Sequence, residues 1–329
     1  MVFTDINSPS IRLSGRWNVK EKEAVSATPG AYFEFAYKGK CAELYFDIFW
    51  NIAPFPHLWI SVDDGAMIEA SLDKYIRVDA KCDGEHIVKV IFKSAVESQH
   101  RWYNPLNGQV TFLGFDADAP TELPEDNRKI MEVIGDSITE GVLTDPTYGP
   151  TIFDLPSRLY ENDITATYGW QTAEKLGFRP FMVGYSGLAM SAVGCGAVPP
   201  PETSYYNYYE NAPVKEFTAD VIIINHGAND RWTEEGAYIR EYIKFLGTLR
   251  KHNPNAKIVV LSPFVGAFIE ELDEMVTKFN DENNDEIIFI STNHWIPEEP
   301  LHPARDGHTI VTERLVAELK KVLGKEVLR

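Results

Sequence analysis

Four short motifs contain residue types that can carry out nucleophilic acyl chemistry. They are VIGDSITEG at 133–141, VGYSG at 183–187, VIIINHGAND at 221–230 and LHP at 301–303. Three of them end apolar runs, as buried parallel strands do before a turn. Because the carboxyl ends of parallel strands share one edge of a sheet, we expect a common site there. Its candidate residues are Ser137, Gly187, Asn229 and His302.

Each motif alone also has an ordinary structural interpretation. Gly187 can be a strand-to-loop turn, Asn229 part of a helix cap and His302 a surface loop residue. All four in this order make coincidence improbable. The order resembles that of the SGNH hydrolases, the superfamily that includes the GDSL esterases and lipases, over residues 129–329.

The resemblance implies a serine esterase. Ser137 would be the nucleophile and His302 the general base. The backbone N–H groups of Ser137 and Gly187, with the side-chain amide of Asn229, would form the oxyanion hole. These residue types suit the chemistry, because a hydroxyl needs a base that titrates near neutrality and fixed N–H donors stabilise a developing oxyanion. Ser137 is also expected to lie at the positive end of a helix.

One position departs from the superfamily pattern. An aspartate usually lies three residues before the catalytic histidine, where it orients the imidazole, but this chain has Glu299 in the sequence EPLH. Glutamate serves this purpose in other hydrolases, so Glu299 is the candidate third catalytic residue. A backbone carbonyl from residues 295–297 is the alternative.

Two residues are candidates for contact with the substrate. Trp232 lies two residues after the Asn-Asp motif, and aromatic faces stack on sugar rings. Asp136 is the second candidate, with the alternative that it only braces the turn before Ser137. The tyrosine-rich run 205–209 could also line a sugar site, or it could pack within its own domain.

The hydrophobic periodicity changes near residue 125. Residues 1–118 read as short strands separated by turns, which predicts a β-sandwich or jelly roll. The predicted strands there are 32–37, 41–49, 57–62, 75–81 and 86–92, with turns at Asp63-Asp64-Gly65 and Asp83-Gly84. A linker rich in proline and acidic residues covers 119–128.

Residues 129–329 alternate between strand and helix patterns. This alternation predicts an α/β domain with a parallel sheet between two helical layers, and the resemblance implies the flavodoxin-like form of this fold. The predicted strands are 130–135, 181–185, 221–225, 257–262 and 286–291. The predicted helices are 170–176, 237–250, 269–280 and 308–323.

A sandwich before an SGNH domain resembles carbohydrate esterase family two. That resemblance implies removal of O-acetyl groups from carbohydrates such as xylo- or manno-oligosaccharides, without a metal or other cofactor. Some members lack the usual acid, which fits the change to Glu299. Two alternatives remain open: a short-chain esterase or thioesterase acting on other substrates, and a carbohydrate-binding protein with impaired catalysis.

Composition limits the partners. The net charge of −18 over 329 residues disfavours nucleic acid and anionic membranes. Three widely spaced cysteines predict neither a disulfide framework nor a zinc site. The first residues have neither a basic region nor an apolar core, so we expect a cytoplasmic protein, although a secreted protein without its signal peptide would read the same. The sequence leaves the oligomeric state open.

Overall fold

The first part of the chain is an all-β domain, as predicted. The structure is a computed structural model that describes residues 1–147, 157–215, 217–325 and 327–328. The strands of the first domain are β1 (Val2–Asp5), β2 (Ile11–Ser14), β3 (Asn18–Val19), β4 (Ala24–Ser26), β5 (Tyr32–Phe46), β6 (His57–Val62), β7 (Ile68–Ser71), β8 (Tyr75–Ser94) and β9 (Val110–Thr121).

These strands pair into one antiparallel sheet of order β3-β4-β9-β5-β8-β6-β7, with β1 on β9 and β2 on β5. The sequence predicted two strands in the region of β5 and two in the region of β8, but each region is one continuous strand. The predicted turn at Asp83-Gly84 was wrong: the register of β5 and β8 shifts there, and residues 80–83 lie opposite the step from Gly39 to Cys41. The predicted hairpin turn at Asp63-Asp64 is confirmed, with both residues at positive φ.

Aromatic side chains fill the inside of this sheet. Phe33 stacks on Phe112 with ring centroids 3.9 Å apart, and Phe35 lies 4.3 Å from Phe115. All four rings are buried. Full burial of an aromatic side chain contributes about 1.5–3 kcal/mol, so this cluster is the main stabilising core of the domain.

The second part of the chain is the predicted α/β domain. Five parallel strands have the order β11-β10-β14-β15-β16, which is the flavodoxin-like arrangement. The strands of this sheet are β10 (Ile130–Gly135), β11 (Arg179–Gly184), β14 (Val221–Asn225), β15 (Lys257–Leu261) and β16 (Ile288–Ile290). Two short strands, β12 (Asn207–Tyr209) and β13 (Ala212–Pro213), form a separate antiparallel pair. The helices of the domain are α1 (Ser137–Glu140), α2 (Arg158–Glu161), α3 (Tyr168–Lys175), α4 (Pro201–Ser204), α5 (Glu235–His252), α6 (Ile269–Asn283) and α7 (Arg305–Val322).

The two faces of the sheet bury different helices. On one face Val133 and Ile223 pack with Val311 and Leu315 of α7, together with α3. On the other face Ile222 and residues of β15 pack with apolar residues of α5 and α6. Alternate residues of β14 therefore point to opposite helical layers, which explains why this strand reads as an uninterrupted apolar run.

The two domains contact each other over buried polar groups. The Arg16 guanidinium donates to the carbonyl oxygens of Ser204 and Asn207 at 2.9 and 2.6 Å. Thr28 Oγ1 lies 2.9 Å from the Tyr185 hydroxyl. The loop that joins β8 to β9, residues 95–109, also reaches the second domain, because Trp102 is buried in that domain's core beside Tyr185.

Candidate active site

Ser137 lies where the sequence predicted it, separated from the end of β10 only by Asp136 and at the first position of α1. Gly135 is in register with Gly184 of β11 and with Asn225 of β14, so the three carboxyl ends lie side by side. The helix after Ser137 is a single turn that ends at Glu140. Ser137 thus lies at the N-terminus of a helix, as predicted, but a helix of one turn has only a small dipole, so the backbone N–H at this turn is the main group that can act on a ligand.

His302 meets Ser137 across the edge of the sheet. It lies in the loop between β16 and α7, and its Nε2 is 2.8 Å from Ser137 Oγ. Burial, and then the positive charges of Arg158 and Arg231, lower the pKa of His302 to about 4. The imidazole is therefore neutral at pH 7 and can accept the serine proton, which is the requirement for a general base.

Three N–H donors surround this pair. Within the part of the chain that the structure describes, the backbone N–H groups of Ser137 and Gly187 donate to no protein acceptor. Gly187 has φ +69°, a conformation that favours glycine. Asn229 Nδ2 donates one hydrogen to the carbonyl of Leu188 at 3.0 Å, which leaves its second hydrogen for a ligand. The arrangement can hold an oxyanion.

The loop that contains Gly187 is held at both ends by carboxylates. Asp230 accepts hydrogen bonds from the N–H of Met190 at 3.0 and 3.1 Å, and burial raises the pKa of this aspartate to about 6. Glu140 Oε2 accepts from the N–H and the hydroxyl of Ser186, both at 2.6 Å. With Asn229 on Leu188 between them, this loop is tied to α1 and to the end of β14.

Sequence reasoning missed the buried ion pair behind this loop. Arg101, from the 95–109 loop of the first domain, pairs with Glu140 Oε1, and both side chains are buried. Glu140 stands inside the VIGDSITEG motif, but nothing in the sequence around Arg101 indicates its partner. Arg158 is paired in the same way with Glu97 of the first domain, at 2.8 Å.

Glu299 is not joined to His302 in this structure. Its side chain is exposed, and among the described residues it forms no hydrogen bond or ion pair with the imidazole. The described contacts likewise give His302 Nδ1 no carbonyl partner from residues 295–297. Ser137 and His302 are thus brought together as a pair, without the third member that the sequence analysis predicted.

The two candidate substrate contacts differ sharply in exposure. Asp136 is fully buried; its Oδ1 accepts from Ile138 N at 3.0 Å, and burial raises its pKa to about 7. This geometry corrects its predicted substrate-binding role and supports the alternative that it braces the turn. Trp232 is 86% exposed, with the Arg231 guanidinium 5.6 Å from its ring centre.

The tyrosine-rich run packs within the protein. Tyr205, Tyr208 and Tyr209 are buried, and the Tyr205 hydroxyl donates to Glu132 at 2.6 Å. This is the packing alternative of the sequence analysis. Directly after this run, Glu210 N donates to the Trp102 carbonyl of the 95–109 loop at 3.0 Å.

No group of three or more histidine, cysteine, aspartate or glutamate side chains is placed to hold a metal ion in the described ranges. Across those same ranges, every helix is too short or too polar to cross a membrane.

The chain is similar to known esterases in sequence and in fold. The profile of the GDSL-like lipase/acylhydrolase family matches residues 133–310. An acetylxylan esterase/glucomannan deacetylase of Cellvibrio japonicus (strain Ueda107) is 27% identical, over 90% of this chain and 85% of its own length. A solved family two carbohydrate esterase from Cellvibrio japonicus superposes with a TM-score of 0.82 at 20% identity, covering 100% of this chain and 99% of that one.

A second solved structure has the same two-domain fold. It is a family two carbohydrate esterase from Clostridium thermocellum in complex with cellohexaose, with a TM-score of 0.76 and 22% identity, covering 95% of this chain and 99% of that one. The family profile spans more than half of the chain and includes both Ser137 and His302. The protein therefore belongs to the GDSL-like lipase/acylhydrolase family and is a carboxylic ester hydrolase.

Proposed function

We propose that this protein is a serine esterase that removes O-acetyl groups from carbohydrates. The observation that carries the proposal is the 2.8 Å contact between Ser137 Oγ and His302 Nε2. The N–H groups of Ser137 and Gly187 and the second amide hydrogen of Asn229 support it as the proposed oxyanion donors. An enzyme of this kind needs an activated hydroxyl and a site for the oxyanion, and these residues are the proposed source of both.

In the acylation step, His302 Nε2 accepts the proton of Ser137 as its Oγ attacks the acetyl carbonyl carbon. The carbonyl oxygen becomes negatively charged and accepts hydrogen bonds from the N–H groups of Ser137 and Gly187 and from Asn229 Nδ2. The C–O bond to the sugar then breaks, and His302 returns the proton to the departing sugar oxygen. An acetyl group remains on Ser137.

In the deacylation step, His302 accepts a proton from water, whose oxygen attacks the acetyl-enzyme. The same three donors stabilise the second oxyanion. The bond to Ser137 Oγ breaks, the proton passes to this oxygen, and acetate leaves.

The sugar assignment rests on two supports. The Cellvibrio japonicus relative is named as an esterase of acetylated xylan and glucomannan and aligns over most of both chains. Trp232 presents an exposed ring three residues after Asn229, and a sugar ring can stack on such a face. Acetylated oligosaccharides such as xylo- and manno-oligosaccharides are therefore the proposed substrates, and a cytoplasmic enzyme would take them after import.

The test is acetate release from acetylated xylo- and manno-oligosaccharides, run beside an aryl acetate and an aryl octanoate. Release from the sugars supports the proposal. Hydrolysis confined to aryl esters, above all the octanoate, favours the alternative of an acyl esterase or thioesterase. Binding of the oligosaccharides without turnover of any ester would instead identify a carbohydrate-binding protein with impaired catalysis.

We expect the acid limb of the pH profile of kcat/KM to lie at an unusually low pH. Only neutral His302 can act as the base, so kcat/KM falls as the pH drops through the pKa of this histidine. That pKa is lowered to about 4, by burial and by Arg158 and Arg231, so we expect half-maximal kcat/KM near pH 4. Replacement of Arg231 by glutamine should move the limb towards pH 6.5. An acid limb near 6.5 in the wild type would contradict this assignment.

Replacement of Glu299 by glutamine should change kcat by only a few-fold, because its exposed carboxylate makes no contact with His302. Glu298 is exposed beside it, and Glu298→Gln is the matched control for loss of one surface charge. Steady-state rates of both variants with an aryl acetate measure the difference. A fall of up to about 10⁴ for Glu299→Gln alone would show that this residue orients the imidazole after all.

A further inference from the structure

We propose that Arg101 of the first domain is a positioning residue for the oxyanion hole of the second. It would act through Glu140 and Ser186 on the backbone N–H of Gly187. The inference rests on the proposed esterase function, and it goes beyond it by assigning the first domain a part in catalysis.

Arg101 and Glu140 form a buried contact between the domains. The Arg101 side chain is fully buried, and its guanidinium pairs with Glu140 Oε1. Glu140 is the last residue of α1, the single turn that begins at Ser137. One carboxylate therefore links the first domain to the turn that contains the nucleophile.

The other oxygen of the same carboxylate holds the oxyanion loop. Glu140 Oε2 accepts from the N–H and from the hydroxyl of Ser186, both at 2.6 Å. The Ser186 carbonyl accepts from Cys195 N at 2.8 Å. In a trans peptide the C=O and the following N–H point in opposite directions, so fixing this carbonyl also fixes the direction of the Gly187 N–H.

Glu140 thus connects two of the three proposed donors. It stands at the end of the turn whose first N–H belongs to Ser137, and it is bonded to the residue before Gly187. Oxyanion stabilisation depends on donors that are already placed within hydrogen-bond distance of the developing charge. Together with the pairing of β10 and β11, this side chain holds the two donor segments at a fixed spacing.

The buried carboxylate needs a cation to keep this geometry. An ionised carboxylate out of water is costly unless it is paired. Without a cationic partner, the Glu140 side chain would no longer be held where it accepts from the two donors of Ser186. Arg101 is the cation that the described residues pair with Glu140, so its loss should loosen Ser186 and misplace the Gly187 N–H.

The 95–109 loop is firmly seated against the same region. Trp102 is buried in the same apolar cluster as Tyr185 and Leu188. These two residues flank Ser186 and Gly187 in the sequence. A Cβ on Gly196 would lie 2.3 Å from the carbonyl oxygen of Gln99, which shows how closely the 95–109 loop approaches the short 3₁₀ turn that begins at Cys195. The first domain therefore supports the oxyanion loop from behind by packing as well as by charge.

The experiment compares Arg101→Met with Arg101→Lys, which keeps the charge, in the full chain. Arg16→Met is the matched control, because Arg16 is also a buried arginine between the domains but donates to carbonyls of Ser204, Tyr205 and Asn207. Measurements are kcat and KM for an aryl acetate, the melting temperature, and inhibition by an aryl boronic acid. Boronates form a tetrahedral anionic adduct on a nucleophilic serine, and so report on the oxyanion hole directly.

We expect Arg101→Met to lower kcat by about 10- to 100-fold, less than deletion of a whole oxyanion donor, with KM within about 3-fold. Boronate affinity should fall in parallel with kcat. Arg101→Lys should recover part of the kcat and part of the boronate affinity. Arg16→Met should have a lower melting temperature with kcat unchanged. The double variant Arg101→Met/Glu140→Gln removes the unpaired buried charge, and it should restore stability more than kcat.

Unchanged kcat and boronate affinity in folded Arg101→Met would overturn the proposal, as would an equal loss of kcat in Arg16→Met. If Arg101→Met does not fold, Ser186→Ala tests the same connection by removing only the hydroxyl bond to Glu140. A several-fold loss of kcat and boronate affinity there supports the proposal, and no loss overturns it. Wild-type protein that releases acetate from neither the acetylated oligosaccharides nor an aryl acetate would overturn the proposed function itself, whereas failure of the Arg101 prediction alone leaves that function standing.

Discussion

Replacement of Ser137 by alanine should lower kcat for acetate release by about 10⁶-fold, by analogy with removal of the nucleophile in other serine hydrolases. The proposed reaction passes through a covalent bond to Ser137 Oγ, and the oxyanion donors alone retain only a small part of the rate enhancement. The described contacts of this hydroxyl join it to His302. Its loss should therefore cost about 1 kcal/mol in free energy of unfolding. Acetate release and thermal unfolding measure the two effects separately.

Ser262 provides the control for loss of a serine hydroxyl after a strand of the same sheet. It directly follows β15, is fully buried, and its Oγ accepts from Thr292 N at 2.8 Å. Ser262→Ala should lose more stability than Ser137→Ala, because it leaves a buried N–H unsatisfied, but it should retain its kcat. Retained turnover in Ser137→Ala would refute the nucleophile assignment.

The α/β domain could be predicted closely because its strands are local apolar runs. Strands β10 and β14 begin and end where the sequence predicts, since both are buried on two faces and bounded by polar residues. Helix ends were less accurate: α7 begins at Arg305, three residues before its predicted start. The first turn of a helix contributes little to the apolar stripe, so periodicity detects it poorly.

The first domain was harder to read because its strands are long and bent. The sequence divided β5 near Gly39 and β8 near Gly84, where glycines resemble turn signals. In the fold these residues lie opposite each other at a register shift, so the chain continues through them. Only cross-strand pairing distinguishes an irregularity within a strand from a turn, and a single sequence does not contain that information.

Local motifs placed the candidate site, but they did not predict what supports it. Ser137 and His302 were predicted from motifs 165 residues apart, and the fold brings them within 2.8 Å. The Arg101–Glu140 pair joins two domains through a loop that has no motif of its own. Glu299 was predicted from spacing alone, which does not determine where a side chain in a loop points.

Replacement of Asn229 by alanine should lower kcat by about 10²- to 10³-fold with little change in KM, because its amide donor is proposed to act mainly on the charged transition state. The hydrogen bond from Asn229 Nδ2 to the Leu188 carbonyl positions the amide beside Gly187. Asn229→Asp keeps the shape but replaces the donor by a negative charge. It should be slower still, since a carboxylate would repel both the Leu188 carbonyl and the oxyanion.

Asn280 is the matched control, because it is also half-buried and its amide donates to a backbone carbonyl, that of Ile287 at 2.8 Å. Asn280→Ala should lower the free energy of unfolding by about 1 kcal/mol or more without a change in kcat. If Asn229→Ala raises KM while kcat is unchanged, this amide binds the ground state and the transition state equally well. It would then not belong to the oxyanion hole. A parallel loss of kcat and boronate affinity would place it there beside Ser137 and Gly187.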